Sequence, residues 1–175
     1  MSHLKKYSLF ILLGLLAVFV GSVIYGGKSL KSIQLSFIGE GKEHHDKYIP
    51  GVNSAEKAPD YGIEVRFDDD WKLVGLMNNT FISSNTVTFT PNKQIPVRLV
   101  EEIRLFDDDP VENDILEVLT VKEGQVRGDN YSFEFEYGYS LMTGIEYFWH
   151  TAIGKALLIG ITICILILFL SMGLF

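Results

Sequence analysis

Two long uncharged apolar runs, one towards each end of the chain, constrain its fold more than any other feature. Residues 8–26 contain no charged side chain in 19 positions, and residues 156–175 contain none in 20. An α-helix rises about 1.5 Å per residue, so each run is long enough to cross the roughly 30 Å hydrocarbon core of a bilayer. We therefore predict two transmembrane α-helices, at residues 8–26 and 152–175.

The first run has two interpretations. A secretory signal peptide also places basic residues, here Lys5 and Lys6, before an apolar run. However, this run is longer than a usual signal core and lacks a small-residue cleavage pattern at its end. An uncleaved signal anchor fits better, and it predicts an integral membrane protein with an extracytoplasmic (periplasmic or lumenal) central domain. The basic residues on the other side, Lys28, Lys31 and Lys155, nearly balance that signal.

The negative charge of the chain lies between the two apolar runs. All 22 acidic residues and 12 of the 15 basic residues fall within residues 27–151, so this stretch carries about −10 against −7 for the whole chain. Nucleic acid and anionic lipid both repel such a domain, which argues against either as its partner. A cationic partner protein, a metal ion or plain solubility would each account for the charge.

Alternating apolar and polar residues predict an all-β domain at residues 33–144. In residues 131–141 every odd position is aromatic or leucine, and every even position is Ser, Glu or Gly. This period of two is typical of a strand with one buried face, so we expect these aromatic rings in a core. Seven or eight short strands separated by turn signals, with no convincing soluble helix, predict an antiparallel β-sandwich.

The remaining segments are short. Residues 1–7 are predicted to form an N-terminal tail, and residues 27–32 a polar linker between the first helix and the β domain. Residues 145–151 are predicted to form an aromatic segment at the membrane–water boundary, where amphipathic rings and long basic side chains are favoured. The anchors expected there are Tyr147, Trp149 and Lys155.

Small residues recur at helical spacing in both apolar runs. They let helices approach closely in a membrane, where packing replaces the hydrophobic effect as the attraction between helices. Neither run holds an acidic, arginine or amide side chain, which argues against a transport path or a proton relay. The predicted packing seam consists of Gly14, Ala17 and Gly21 in the first helix and Ala152, Ala156, Gly160 and Cys164 in the second.

One loop gathers acidic residues and is the main candidate for a specific chemistry. Residues 105–118 pass from a strand-like run through the aspartates at 107–109, a proline and Glu112 into a second apolar run. Carboxylates this close repel each other by about 1 kcal/mol or more per pair, so the loop needs solvent or a cation.

Two short segments resemble C2 domains. FDDD at 106–109 followed by NDIL at 113–116 is similar to the third calcium-binding loop of that family, although Glu117 stands where the family usually has glycine. APDYGIEV at 58–65 is similar to the family's first loop and the strand that follows it. The resemblance implies a C2-like sandwich with Ca²⁺ as a cofactor, which prefers oxygen ligands. The ligands it implies are Asp46, Asp60, Asp107, Asp109 and Asp114.

His44 and His45 lie in an aperiodic stretch of about twenty residues, and loops of that length are often functional. Adjacent histidines can ligate a transition metal or transfer protons. They have no partner at a recognisable ligand spacing, so two solvent-exposed histidines are the simpler interpretation.

Three functions follow from these features. The first is an accessory or structural subunit, which contacts membrane lipid and other membrane-protein subunits through its helices and its acidic β domain. The second is a C2-like calcium- or lipid-responsive module, and the third is an enzyme that uses paired carboxylates or the two histidines. We favour the first and predict no catalysis, because the sequence lacks a nucleophile–base set and a strong metal-ligand spacing.

Overall fold

A computed structural model describes residues 2–44, 58–82, 85–108, 113–122 and 124–173. The chain forms two compact units: a helical unit, Met1–Lys28 with Tyr139–Phe175, and a β unit, Ser29–Gly138. The order of elements confirms an apolar helix towards each terminus with a β-sheet domain between them. We describe each unit by itself.

The helical unit contains α1 (Ser2–Gly26), α2 (Leu141–His150) and α3 (Ala152–Gly173). Both α1 and α3 are long and apolar enough to cross a membrane, with mean hydropathies of 2.5 and 2.6 over Lys6–Gly26 and Ala152–Leu170. Only 11% and 17% of these windows are buried, whereas the core helix of a soluble protein would be mostly buried. Helix α1 begins at Ser2, so residues 2–7 continue the helix rather than forming a separate tail.

The predicted interfacial segment, residues 145–151, is mostly helical and belongs to α2. The side chain of Ser140 accepts a hydrogen bond from the Thr143 amide and caps the start of this helix. Thr151 then separates α2 from α3: its backbone is extended, and its hydroxyl accepts a hydrogen bond from the Gly154 amide at 3.1 Å. Side-chain oxygens at these two positions satisfy amides that a helix start leaves without partners.

The helices pack through larger side chains than the predicted seam contains. Phe19 of α1 meets Phe148 of α2 edge to face, with ring centroids 4.8 Å apart, and Val23 and Leu157 complete this small core. The buried or half-buried positions alternate steps of four and three residues. They are Ser8, Leu12, Leu15, Phe19, Ser22 and Gly26 in α1, and Gly154, Leu157, Ile161, Cys164 and Leu168 in α3.

The predicted small-residue seam is therefore corrected. Gly14, Ala17 and Gly21 lie on the exposed side of α1, and an added Cβ at either glycine would meet no atom within 4 Å. In α3, Cys164 is buried and Gly160 lies against Leu15, but Ala152 and Ala156 are exposed. A step of four residues turns a helix by about 40° beyond a full turn, so a run of such steps cannot stay on one face.

The β unit contains nine strands within the described ranges. They are β1 (Lys28–Phe37), β2 (Tyr61–Phe67), β3 (Asp70–Met77), β4 (Val87–Phe89), β5 (Ile95–Pro96), β6 (Glu102–Asp107), β7 (Asp114–Thr120), β8 (Gln125–Arg127) and β9 (Tyr131–Tyr139). A short 3₁₀ helix covers Val97–Leu99. The predicted linker at 27–32 is mostly strand, because β1 begins at Lys28 and Leu30 is buried opposite Ile95.

The strands form two sheets that enclose one apolar core. The first sheet has the order β4-β1-β9-β8, with β5 also pairing with β1, and the second has the order β3-β2-β6-β7. In the second sheet every neighbouring pair is antiparallel. The two sheets confirm the predicted antiparallel sandwich. Fully buried core side chains come from both sheets: Ile33, Leu35, Tyr61, Ile63, Val65, Ile103, Leu105 and Phe133.

The alternation in β9 is confirmed along most of its length. Tyr131, Phe133 and Phe135 are buried in the core, whereas Glu134 is exposed. Further along, Tyr137 is half-buried and packs against the core. The strand ends at Tyr139, short of the domain boundary predicted at residue 144, because the chain enters α2 at Leu141.

Candidate functional site

The second sheet brings three of the predicted calcium ligands to one of its ends. Asp107 ends β6, where it pairs with Tyr61 of β2 on one side and Asp114 of β7 on the other. Asp60 directly precedes β2, and its amide donates a hydrogen bond to Oδ1 of Asp107 at 2.7 Å. The other two predicted ligands, Asp46 and Asp109, lie outside the residues that the structure describes.

Two of these carboxylates fasten loops to the end of the sheet. Asp107 is fully buried, and its Oδ2 lies 3.1 Å from Nε2 of His44. Oδ1 of Asp60 accepts a hydrogen bond from the Asn79 amide at 2.6 Å. In the described ranges, no three His, Cys, Asp or Glu side chains converge in a way that could hold a metal ion. The calcium site therefore stays a prediction.

A buried carboxylate beside this end was not anticipated from the sequence. Oε1 of Glu43 accepts hydrogen bonds from the Tyr61 hydroxyl at 2.5 Å and from the Ile82 amide at 2.7 Å. The Tyr131 hydroxyl lies 3.2 Å from that of Tyr61, which completes a chain of buried polar groups. A single Glu in an aperiodic loop gives no periodic signal, so its burial could not be read from local pattern.

His44 follows Glu43 and therefore lies against Asp107 rather than in solvent. The carboxylate accounts for the position of this histidine without a metal or a reaction. His45 lies outside the described residues, so a pair of histidines acting together is not tested.

Burial controls the acid–base behaviour of the two tyrosines. Desolvation raises the pKa of the Tyr61 hydroxyl far above its ordinary value, and the hydrogen bond to Glu43 raises it further. Desolvation also raises the pKa of Tyr131. Both rings therefore stay neutral in the folded chain at any physiological pH.

We expect the β unit to lose stability as the pH rises above about 10, the ordinary pKa of tyrosine in an unfolded chain. Both pKa values are raised on folding, so the stabilisation is fully present below that pH and is lost as the pH climbs towards the folded pKa. Denaturant midpoints measured between pH 8 and 12 would record the slope.

The matched variant for this prediction is Tyr61→Phe, which removes one of the two titrations. Its stability should fall less steeply with pH, while at neutral pH it should lie about 1–3 kcal/mol below that of the parent because the Glu43 carboxylate loses a donor. Tyr139→Phe, at an exposed ring, should change neither value. An identical alkaline slope in the parent and in Tyr61→Phe would contradict the assignment.

The outward side of the second sheet carries large apolar side chains. Leu73 is 50% exposed, Leu76 46%, Ile115 58% and Val118 47%. We call this surface the apolar face. Strand pairing arranges it in two rows, Leu76, Gly62, Phe106 and Ile115, then Leu73, Glu64, Arg104 and Val118.

The centre of the apolar face is flat and held by close contacts. The guanidinium of Arg104 lies 4.3 Å from the centroid of the Trp71 ring, and its Nε donates to Oε2 of Glu64 at 2.9 Å. The Phe106 ring lies directly over Gly62, where any Cβ would collide with it. A ring against a bare backbone and an arginine stacked on an indole leave little relief between the exposed apolar edges.

The outward side of the first sheet is polar by contrast. Lys31 and Ser32 of β1 both bond to the Glu136 carboxylate of β9, the hydroxyl at 2.8 Å. Ser36 and Thr86 share a hydrogen bond at 2.9 Å. The hydrogen bond and ion pair with Lys31 lower the pKa of Glu136. An antiparallel sheet normally shows water such a polar side, so the apolar face of the second sheet is the exception.

Two irregularities in strand pairing hid the apolar face from sequence reasoning. The register shifts beside Val74 in β3 and beside Leu116 in β7, at positions where a bulge adds one residue. A bulge lets residues three apart, such as Leu73 and Leu76, point to the same side. Period-two counting assigns such residues to opposite sides.

The predicted interface anchors lie around the corner between α2 and α3. Tyr147 packs over Gly26 and forms an edge contact with Tyr25, with centroids 6.0 Å apart. Trp149 and Lys155 are exposed. Their role at a membrane boundary stays a prediction.

Comparisons with known proteins give no family. No protein-family profile matches the chain, and no curated protein matches it. Among solved structures, one of two C2 domains of Extended-Synaptotagmin 2 is 16% identical, covering 65% of this chain and 42% of that chain with a TM-score of 0.36. A calcium-bound structure of the same domains is 17% identical, covering 63% and 45% with a TM-score of 0.32. The chain spans less than half of either structure, and TM-scores this low do not establish a shared fold.

Proposed function

We propose that this chain is an accessory subunit of a larger membrane complex. Helices α1 and α3 would cross the membrane, and the β unit would contact partner proteins. The observation that carries the proposal is the apolar face, a contiguous exposed patch across four strands of one sheet. Exposed apolar patches of this kind mark interaction surfaces in soluble domains. The proposal assigns no reaction to the chain.

Membrane anchoring is supported by the helices themselves. Most of the apolar surface of α1 and α3 is not covered within the helical unit, and lipid would cover it at no cost in exposed apolar area. The lysines before the first span fit a signal anchor, so we place the β unit outside the cytoplasm. A membrane-impermeant thiol reagent applied to intact cells should label Ser36→Cys and leave Ser2→Cys unlabelled. The reverse pattern would invert the topology.

Extraction in a mild detergent tests the subunit role. We expect the full chain to migrate in size-exclusion chromatography with other proteins, at a mass well above its own 19.8 kDa plus detergent. The double variant Leu73→Ser/Val118→Ser should release it, because buried apolar anchors dominate binding energy. Gln34→Ser, on the polar side of the first sheet, is the matched control and should stay in the complex. Migration of the parent chain alone would remove the proposal's main support.

A second candidate is a C2-like calcium- or lipid-responsive module. Asp60, Asp107 and Asp114 at one end of the second sheet favour it. A ligand that binds only the folded state stabilises it by about 2.7 kcal/mol at a hundredfold excess over its Kd. Millimolar Ca²⁺ should then raise the melting temperature of the parent but not of Asp114→Asn. As an accessory subunit, the chain should melt at the same temperature with and without Ca²⁺.

A further inference from the structure

The acidic residues of the β unit are concentrated on one of its two sheets. The second sheet and its adjoining residues, 60–77, 101–108 and 113–120, contain eleven acidic and three basic residues. The strands of the first sheet, β1, β4, β5, β8 and β9, contain two acidic and three basic residues. The sheet that exposes apolar side chains is therefore also the one that carries the negative charge.

Within the apolar face the basic groups already have acidic neighbours. Arg104 pairs with Glu64, and Nη2 of Arg66 lies 3.2 Å from Glu101 and 3.3 Å from Glu102. Nζ of Lys72, on the edge strand β3, lies 3.3 Å from Asp70. The excess of negative charge accordingly comes from the two ends of the sheet.

Those ends border the apolar face above and below. At one end Asp68 and Asp69 form the two-residue turn between β2 and β3, both with positive φ angles, and Asp70 follows. At the other end lie Asp60, Asp108 and Asp114, the last adjacent to Ile115. An apolar centre between two acidic borders is thus built from a single sheet.

From this arrangement, and resting on the subunit role proposed above, we infer that the apolar face binds a protein surface with an apolar centre bordered by Lys and Arg side chains. Opposite charges at the borders would steer the encounter and fix the register, while the apolar side chains supply affinity. A second copy of this chain is disfavoured, because a symmetric pairing would bring two strongly acidic surfaces together. An anionic lipid surface is disfavoured for the same reason.

Site-specific photo-crosslinking in native membranes tests this inference with the full chain. A photoreactive amino acid would replace Leu73 or Val118 on the apolar face, and Gln34 or Glu134 on the polar side of the first sheet as controls. We expect a product with a different protein at the first two positions only. Mass spectrometry of the joined peptide should show Lys or Arg flanking apolar residues on the partner.

The charge requirement is tested by Asp69→Asn/Asp108→Asn, introduced with the crosslinker at Val118. Asparagine keeps the shape of aspartate and tolerates the positive φ of residue 69, so the turn should be retained. We expect the yield of the product to fall about 3- to 10-fold, and a similar fall on raising the salt concentration. Ser36→Ala, on the polar side, should leave the yield unchanged.

The outcomes separate the inference from the function on which it rests. A product with another protein through a neutral or acidic segment, or a yield insensitive to Asp69→Asn/Asp108→Asn, would overturn the basic partner and leave the subunit role standing. A product only with a second copy of this chain or with lipid, equal yields at the control positions, or no product would overturn both.

Discussion

Replacing Phe133 by alanine is expected to lower the free energy of unfolding of the β unit by about 3–5 kcal/mol. Phe133 is fully buried in β9, and it pairs with Val126 of β8 on one side of the strand. Its ring cannot be replaced by movement of neighbours, because the two sheets that surround it are fixed by their own hydrogen bonds. Since small domains are stable by only about 5–15 kcal/mol, the variant should unfold at much lower denaturant concentration.

The measurement is urea denaturation of the full chain in detergent, followed by Trp71 fluorescence in a Trp149→Phe background. Glu134→Ala is the matched control: the residue is next in the chain but exposed, so its effect should stay within about 0.5 kcal/mol. Similar effects at both positions would mean that β9 does not present alternate residues to the core, and the sandwich described above would be incorrect.

Replacing Gly144 by leucine is expected to separate α2 from α1. A Cβ at this glycine would collide with the carbonyl oxygen and carbon of Val23, which are backbone atoms and cannot rotate away. Overpacking against a helix backbone costs about 3 kcal/mol or more, at the upper end of the range for buried positions. Small residues at such crossings are what allow helices to approach closely in a membrane.

Denaturation by sodium dodecyl sulfate in mixed micelles, followed by Trp149 fluorescence in a Trp71→Phe background, would measure the change. Gly14→Leu is the control within the same unit, since an added Cβ there meets nothing within 4 Å. If Gly14→Leu destabilised the unit as strongly as Gly144→Leu, the packing of α1 would be through its small-residue face, as the sequence had suggested.

Parts of the candidate site were predictable because they depend on strand order alone. A strand that ends at Asp107 and a strand that begins at Asp114 place these residues at the same end if they pair as a hairpin, and they do. The position of Asp60 followed from the start of the strand at Tyr61. The burial of Glu43 and the contact of His44 with Asp107 depend on a loop crossing that end, which no local pattern encodes.

The helix seam shows a different limit. Helix α1 carries two stripes with steps of three and four residues, one of small residues through Gly14 and Gly21 and one of larger residues through Leu15 and Phe19. The two stripes lie about 180° apart, and both satisfy the geometry of packed helices. Only the position of Phe148 and Leu157 in the neighbouring helices decides which stripe is covered.

The sequence alone determined the segregation of the chain: two uncharged apolar helices and, between them, acidic strands with a period of two. These features are local, since each residue's helical or strand phase depends on its near neighbours. The tertiary structure decided which faces are covered: the large-residue stripe of α1, and the outward side of the second sheet that remains apolar. Those outcomes depend on register shifts and on partners far along the chain, such as Gly62 beneath Phe106.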